Sequence, residues 1–120
     1  MSYKNLEIWQ EAKAIAIEVH EMTLKDLPSF EMYETGGQIR RSSKSTRSTI
    51  VEGYGRRFYQ AEYYKFLTYA IGSNDETIDH LECLWDTGSL KNKEHYESIH
   101  TKCEILGKKL NNFLKSFKRQ

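Results

Sequence analysis

Residues 60–85 read QAEYYKFLTYAIGSNDETIDHLECLW. Tyr63, Phe66, Leu67, Ala70, Asn74, Thr77, Ile78, Leu81, Leu84 and Trp85 recur along it at steps of three and four, the spacing that lines one side of an α-helix. The opposite side carries Glu62, Asp75, Asp79 and Glu82, while Tyr64 and Tyr69 fall outside the stripe. Asp86-Thr87-Gly88-Ser89 follows as a turn signal. One long amphipathic helix is therefore predicted over about 60–85.

The same period appears on both sides of this segment. Upstream, Ile8, Ala12, Ile15, Val19 and Met22 predict a helix over about 6–24, with Asn5 as its N-cap and Leu27-Pro28 as its end. Met32, Gly36, Ile39, Ser43, Thr46, Ile50 and Gly53 predict a second helix over about 30–53. Small seam residues release little hydrophobic energy but let a neighbouring backbone approach closely. Gly36-Gly37 weakens such a helix by about 1 kcal/mol per glycine, so its neighbours must hold it. Gly53 and Gly55 suit a left-handed exit from it. Downstream, Ile99, Cys103, Leu106, Leu110, Phe113 and Phe117 predict a fourth helix over about 92–117. Such helices are about 30–40 Å long. Short links favour antiparallel neighbours, so the expected fold is all-α: a single domain over residues 1–120, an up-down-up-down four-helix bundle.

Composition agrees. A chain of 120 residues is one ordinary domain, and 38% apolar with 29% charged residues fits a globular protein. One proline and seven glycines leave little punctuation. No apolar run reaches the roughly 18 residues a membrane span needs, and the first residues carry no signal-peptide core. Two cysteines make no disulfide framework. The expected location is the cytoplasm.

The net charge of +1 hides segregation. Residues 1–34 hold 3 basic and 7 acidic side chains, 35–58 hold 6 and 1, 59–90 hold 1 and 6, and 91–120 hold 8 and 3. Arg40, Lys44 and Arg47 form one basic stripe about 10 Å long, extended by Arg41, Arg56 and Arg57. Such a stripe can neutralise a row of phosphates. Glu7, Glu11 and Glu18 form an acidic stripe on the first helix. The two could instead pair, inside the bundle or across a subunit boundary; charge alone favours pairing or solvation over nucleic acid, because the whole chain is not strongly basic. Leu6, Ile17 and Leu24 lie in line off the main seam of the first helix, which suggests a subunit contact.

No catalytic constellation emerges. His80-x-x-Cys83 and His100-x-x-Cys103 have zinc-like spacing. In a hairpin, however, Cys83 sits about 8 Å from the turn and His100 about 18 Å from it, and Cys103 is on a seam while Cys83 is not. Neither His20 nor His95 has a placed partner, and the Ser42, Ser43, Ser45 and Ser48 cluster lacks a local base. Gly53-Tyr54-Gly55-Arg56-Arg57 follows a helix where a phosphate loop would open one, so its arginines read as charges complementing a helix C-terminus. The reading is of no enzyme, no metal, no cofactor and no small-molecule substrate.

Ser2-Tyr3-Lys4-Asn5-Leu6-Glu7-Ile8-Trp9-Gln10, Gln38-Ile39-Arg40-Arg41, Ile50-Val51-Glu52-Gly53-Tyr54-Gly55-Arg56-Arg57, and Phe66-Leu67 with Gly72-Ser73 and Glu76 resemble, in register and order, the bacterial 23S rRNA-intervening sequence proteins. The resemblance implies a left-handed antiparallel four-helix bundle assembling into a ring, a homopentamer, with no enzymatic activity. It extends to the accessory protein of diversity-generating retroelements, a basic pentamer that works with a reverse transcriptase and binds nucleic acid. RNA, DNA or a nucleic-acid enzyme is thus the expected partner class beside the chain itself. The sequence departs from the family pattern at Ser42, Ser43 and Lys44, where small apolar residues are usual, and at Arg47, which replaces a helix-kinking proline.

Overall fold

A computed structural model describes residues 2–117. Its helices are α1 (Glu7–Lys25), α2 (Thr35–Gly55), α3 (Gln60–Asp86) and α4 (Lys93–Phe117), with short 3-10 turns at Tyr3–Asn5 and Ser29–Tyr33. There is no strand among the described residues. The body measures 47 × 20 × 20 Å. Each helix packs on two neighbours, α1 on α2 and α4, and α3 on α2 and α4.

Pairs across the seams show that neighbours run antiparallel. Glu18 meets Lys102 and Asp26 meets His95 between α1 and α4. Ser42 meets Thr77 and Ser45 meets Ser73 between α2 and α3. Tyr63 meets Phe113 and Trp85 meets Tyr96 between α3 and α4.

The stripes read from sequence line the core. Ile8, Ala12, Ile15, Val19 and Met22 of α1 are buried against Ile39 and Ile50 of α2, Tyr63, Leu67, Ala70, Leu81 and Leu84 of α3, and Ile99, Cys103, Leu106 and Leu110 of α4. Each large aliphatic side chain so buried stabilises the fold by about 1.5–3 kcal/mol. Ser42, Ser43 and Thr46 are buried too, and they supply contact by hydrogen bonding. Ser42 and Thr77 share a bond of 2.8 Å, Ser45 and Ser73 one of 3.0 Å. Asn74, only 1% exposed, donates to the Cys103 carbonyl at 2.9 Å and ties α3 to α4.

The second helix starts later than its periodicity implies. Ser29–Tyr33 is a separate 3-10 turn, and Glu34 leaves helical geometry at φ −111° and ψ −134°. Met32, placed on the seam by spacing, is exposed; its neighbour Glu31 is buried instead. The Glu31 carboxylate accepts from the Gly36 N–H at 3.2 Å and from the Ser89 hydroxyl at 2.6 Å. It thereby joins the start of α2 to the α3–α4 turn. Gly36 is glycine for this contact, since a Cβ there would lie 2.5 Å from the Glu31 carbonyl oxygen. The glycine pair therefore opens the helix and does not interrupt it.

Three end signals also read differently. Asn5 lies in the first 3-10 turn, and Leu6 precedes α1 without a side-chain cap. Gly53 and Gly55 are helical, because the only positive φ among the described residues is that of Gly88, at 78°. Gly53 instead admits α3: a Cβ there would lie 3.1 Å from Phe66 Cβ and 3.2 Å from Tyr63 Cδ1.

Folding converts the alternating charge of the segments into polarity along the bundle. The half that holds the start of α1 and the end of α4 comprises residues 2–16, 46–73 and 104–117, with 9 Lys or Arg against 5 Asp or Glu. The other half, residues 17–45 and 74–103, has 7 against 12.

Candidate functional site

The basic side chains of α2 divide between two faces. Lys44 and Arg47 border a shallow groove of about 350 Å³ with Ala16, Ile17, His20 and Glu21 of α1. Arg41 borders an α2–α3 cleft of about 360 Å³ with Gln38, Ser42, Ser45, Glu76 and His80, and with Arg40, Lys44 and Glu34 it also lines a hollow of about 480 Å³ at the start of α2. Arg40 is anchored by donation to the Met32 carbonyl at 2.7 Å. The Arg47 guanidinium lies 5.3 Å from the Trp9 ring centroid, with Lys13 Nζ 5.5 Å from the same ring. Arg56 donates to the Glu52 carbonyl at 3.0 Å and Arg57 to the Tyr54 carbonyl at 3.1 Å. These bonds place two cations on carbonyls of the last turn of α2, the negative end of its dipole.

None of Arg40, Arg41, Lys44, Arg47, Arg56 and Arg57 forms an ion pair with a carboxylate among the described residues. The acidic stripe of α1 is occupied elsewhere. Glu7 and Glu11 pair with Lys109, and Glu18 pairs with Lys102 at 2.7 Å and accepts from Ser98 at 3.2 Å. The Glu7 and Glu11 hydrogen bonds raise the Lys109 pKa. Within the bundle, then, the acidic stripe of α1 is met by α4, not by the basic stripe of α2.

Ile17 and Leu24 are 46% and 54% exposed, so two members of the α1 ridge have no cover within the chain. Leu6, the third, is half-buried against the core. Ile17 borders the same groove as Lys44 and Arg47, so the candidate subunit contact and part of the candidate polyanion stripe share one surface.

Three of the four histidines meet carboxylates. His95, which spacing leaves without a partner, bonds the Asp26 carboxylate and ties the end of α1 to the start of α4. His100 Nε2 lies 2.8 Å from Glu82 and Nδ1 3.2 Å from Glu104. Hydrogen bonding to Glu82 is the main cause of its raised pKa, against an opposing effect of burial. His80 lies 3.6 Å from Glu76. Cys83 is exposed, whereas Cys103 is buried and its thiol is pushed up to about 12, chiefly by burial. Among the described residues no three His, Cys, Asp or Glu side chains are grouped to hold a metal ion. The hydroxyls of Ser43 and Ser48 donate to backbone carbonyls, and those of Ser42 and Ser45 bond Thr77 and Ser73.

Sequence reasoning found Arg56 and Arg57 but not the rings around them. Arg57 lies 4.2 Å from the Tyr54 ring centroid and 4.6 Å from that of Phe58. Arg56 lies 4.4 Å from the Phe66 centroid. Phe58 and Tyr59 are 82% and 73% exposed. The available signal was the run Arg56-Arg57-Phe58-Tyr59 itself, two cations followed by two rings in a link between helices.

No helix among the described residues is long and apolar enough to cross a membrane. No match is found among curated proteins. Among solved structures, the chain is similar to a protein with unknown function from the S23 ribosomal protein family of Bacteroides thetaiotaomicron. The identity is 24%, with 90% of this chain and 98% of that chain covered and a TM-score of 0.77. That likeness supports the fold. The sequence matches the family of 23S rRNA-intervening sequence proteins over residues 4–112, nearly the whole chain, and the protein therefore belongs to that family.

Proposed function

We propose that the protein is a non-enzymatic, self-associating cytoplasmic adaptor that binds nucleic acid, or an enzyme acting on nucleic acid, through the basic surface of α2. The observation that carries this reading is the set Arg40, Arg41, Lys44, Arg47, Arg56 and Arg57, which forms no ion pair with a carboxylate among the described residues while Glu7, Glu11 and Glu18 of α1 are taken up by α4. Cations without an ion pair, on α2 and just past its end, suit a polyanion, with Glu21 and Glu76 bordering the same grooves. A ring of five is the assembly that the family resemblance implies. The test is a salt titration against duplex and single-stranded RNA and DNA. Binding should weaken with a log–log slope of about −0.9 per duplex phosphate contacted, and Arg41→Glu with Lys44→Glu should abolish it without loss of helix content. Binding that ignores salt, or none at all, refutes the reading.

A second reading is a purely structural self-assembling protein with no nucleic-acid partner. It is favoured by one observation: Ile17 and Leu24 are exposed beside the groove that Lys44 and Arg47 border. It expects Ile17→Glu with Leu24→Glu to lower the mass measured by light scattering.

A further inference from the structure

The α2–α3 link carries more exposed aromatic surface than its fold requires. Phe58 and Tyr59 are 82% and 73% exposed, and Tyr69, two to three turns along α3, is 52% exposed. Phe66 lies between them in sequence and meets Tyr69 edge-on at 5.7 Å. Phe66 and Tyr69 fall on one side of α3, Tyr59 immediately precedes its first turn, and the three span about 15 Å. Cations flank the rings. Arg57 approaches Tyr54 and Phe58, and Arg56 and Lys65 approach Phe66 at 4.4 and 5.4 Å.

We propose that Arg56, Arg57, Phe58 and Tyr59, continued by Phe66 and Tyr69, form a stacking track for single-stranded nucleic acid. A track of this length matches the smallest single-strand sites, about four nucleotides. The exposed rings of Phe58, Tyr59 and Tyr69 can each take the face of any base, Phe66 supports the track beneath Arg56 and Lys65, and the guanidinium groups add cation–π and phosphate contacts. The carbonyls at the end of α2 oppose phosphate there, and Arg56 and Arg57 offset them by donating to two of those carbonyls. Recognition therefore rests on the rings more than on charge. Two carboxylates lie nearby: Glu62 is compensated by Lys65 at 3.0 Å, and Glu52 is exposed one turn before Arg56. The track also lies in the half of the bundle with excess Lys and Arg. An apolar protein partner fits less well, since covering two guanidinium groups with apolar surface carries a desolvation cost without return.

This deepens the nucleic-acid reading, and it places base contacts away from the Arg41 and Lys44 surface. The test uses the full chain with fluorescent oligo(U), oligo(dT) and a duplex of matched length, followed by anisotropy. Phe58→Ala and Tyr59→Ala should each weaken both single-stranded probes about tenfold, in the range that one base–aromatic stack supplies. Duplex affinity and the salt slope should not change. Phe58→Trp should bind as the wild type does, and Phe58→Leu as the alanine variant. Unchanged single-strand affinity, full affinity with leucine, or a fall in the mass of the alanine variants would overturn the proposal; the last would make this surface an interface between copies. Loss of binding in the Arg41→Glu, Lys44→Glu variant with no effect at Phe58 and Tyr59 would keep the α2 surface and remove the track alone.

Discussion

Gly36 and Gly72 are both helical glycines, and replacing each by alanine should have opposite effects. Helix propensity alone favours alanine at either position by about 1 kcal/mol. At Gly72, in α3, an added Cβ has nothing within 4 Å, so Gly72→Ala should stabilise by about 0.5–1 kcal/mol. At Gly36 the same Cβ would sit 2.5 Å from the Glu31 carbonyl oxygen and 3.2 Å from Glu31 Cβ. The first distance is inside the 3.0 Å that real Cβ atoms respect, so the 3-10 turn must move. The Glu31 carboxylate is buried and holds the Gly36 N–H and the Ser89 hydroxyl. Loosening one charged hydrogen bond costs about 1.5–3 kcal/mol. Less the propensity gain, Gly36→Ala should destabilise by about 0.5–2 kcal/mol. With a urea slope of about 2 kcal/mol/M, its midpoint falls by about 0.25–1 M, while that of Gly72→Ala rises. Both are read by circular dichroism at one protein concentration, because self-association would shift midpoints with concentration. A Gly36→Ala protein as stable as the wild type would refute the close-approach account of the start of α2.

The His100 pKa is raised in the folded chain, foremost by Glu82. Its contribution to stability is fully present below the unfolded pKa of about 6.5 and is lost as pH rises through the higher folded value. His100→Gln should accordingly flatten the dependence of the urea midpoint on pH in that window, and an unchanged pH profile would count against the Glu82 contact. A thiol reagent at neutral pH should label Cys83 rapidly in the native protein and Cys103 only after unfolding, since Cys103 is buried with its pKa pushed up to about 12; fast labelling of both would refute that burial.

The register of each helix was legible because burial in a bundle follows from a period that the side chains carry themselves. Ile8 to Met22 and Ile99 to Leu110 needed no knowledge of their neighbours. The start of α2 was not legible. Met32 continues the seam by spacing, but Glu34 interrupts the helix before the pattern reaches it. Burial of Glu31 depends on Ser89, 58 residues away, and no local pattern encodes such a partner. Charge pairing was hidden for a related reason. A helix in a four-membered bundle has two neighbours, and the stripe Glu7, Glu11, Glu18 could have met α2 as readily as α4. The choice of Lys102 and Lys109 is a property of how α1 is rotated about its axis.

That rotation also bears on function. With Glu7, Glu11 and Glu18 facing α4, Ile17 and Glu21 are left beside Lys44 and Arg47 on the α1–α2 groove. A subunit docked on Ile17 and Leu24 would cover that groove and compete with any polyanion for the same two cations. Arg41 adjoins Lys44 at the start of α2 but also reaches the α2–α3 cleft, where a docked subunit would leave it open; Arg56 and Arg57 escape the conflict because they sit at the end of the bundle. If subunits do dock on Ile17 and Leu24, nucleic acid would have to use the α2–α3 side or the Arg56 and Arg57 end of the bundle. The decisive comparison is between Lys44→Glu, which should disturb assembly before binding, and Arg41→Glu, which should weaken binding while leaving the assembled mass unchanged. The reverse ranking would mean that the α1–α2 groove is open in the assembled state and is itself the polyanion site.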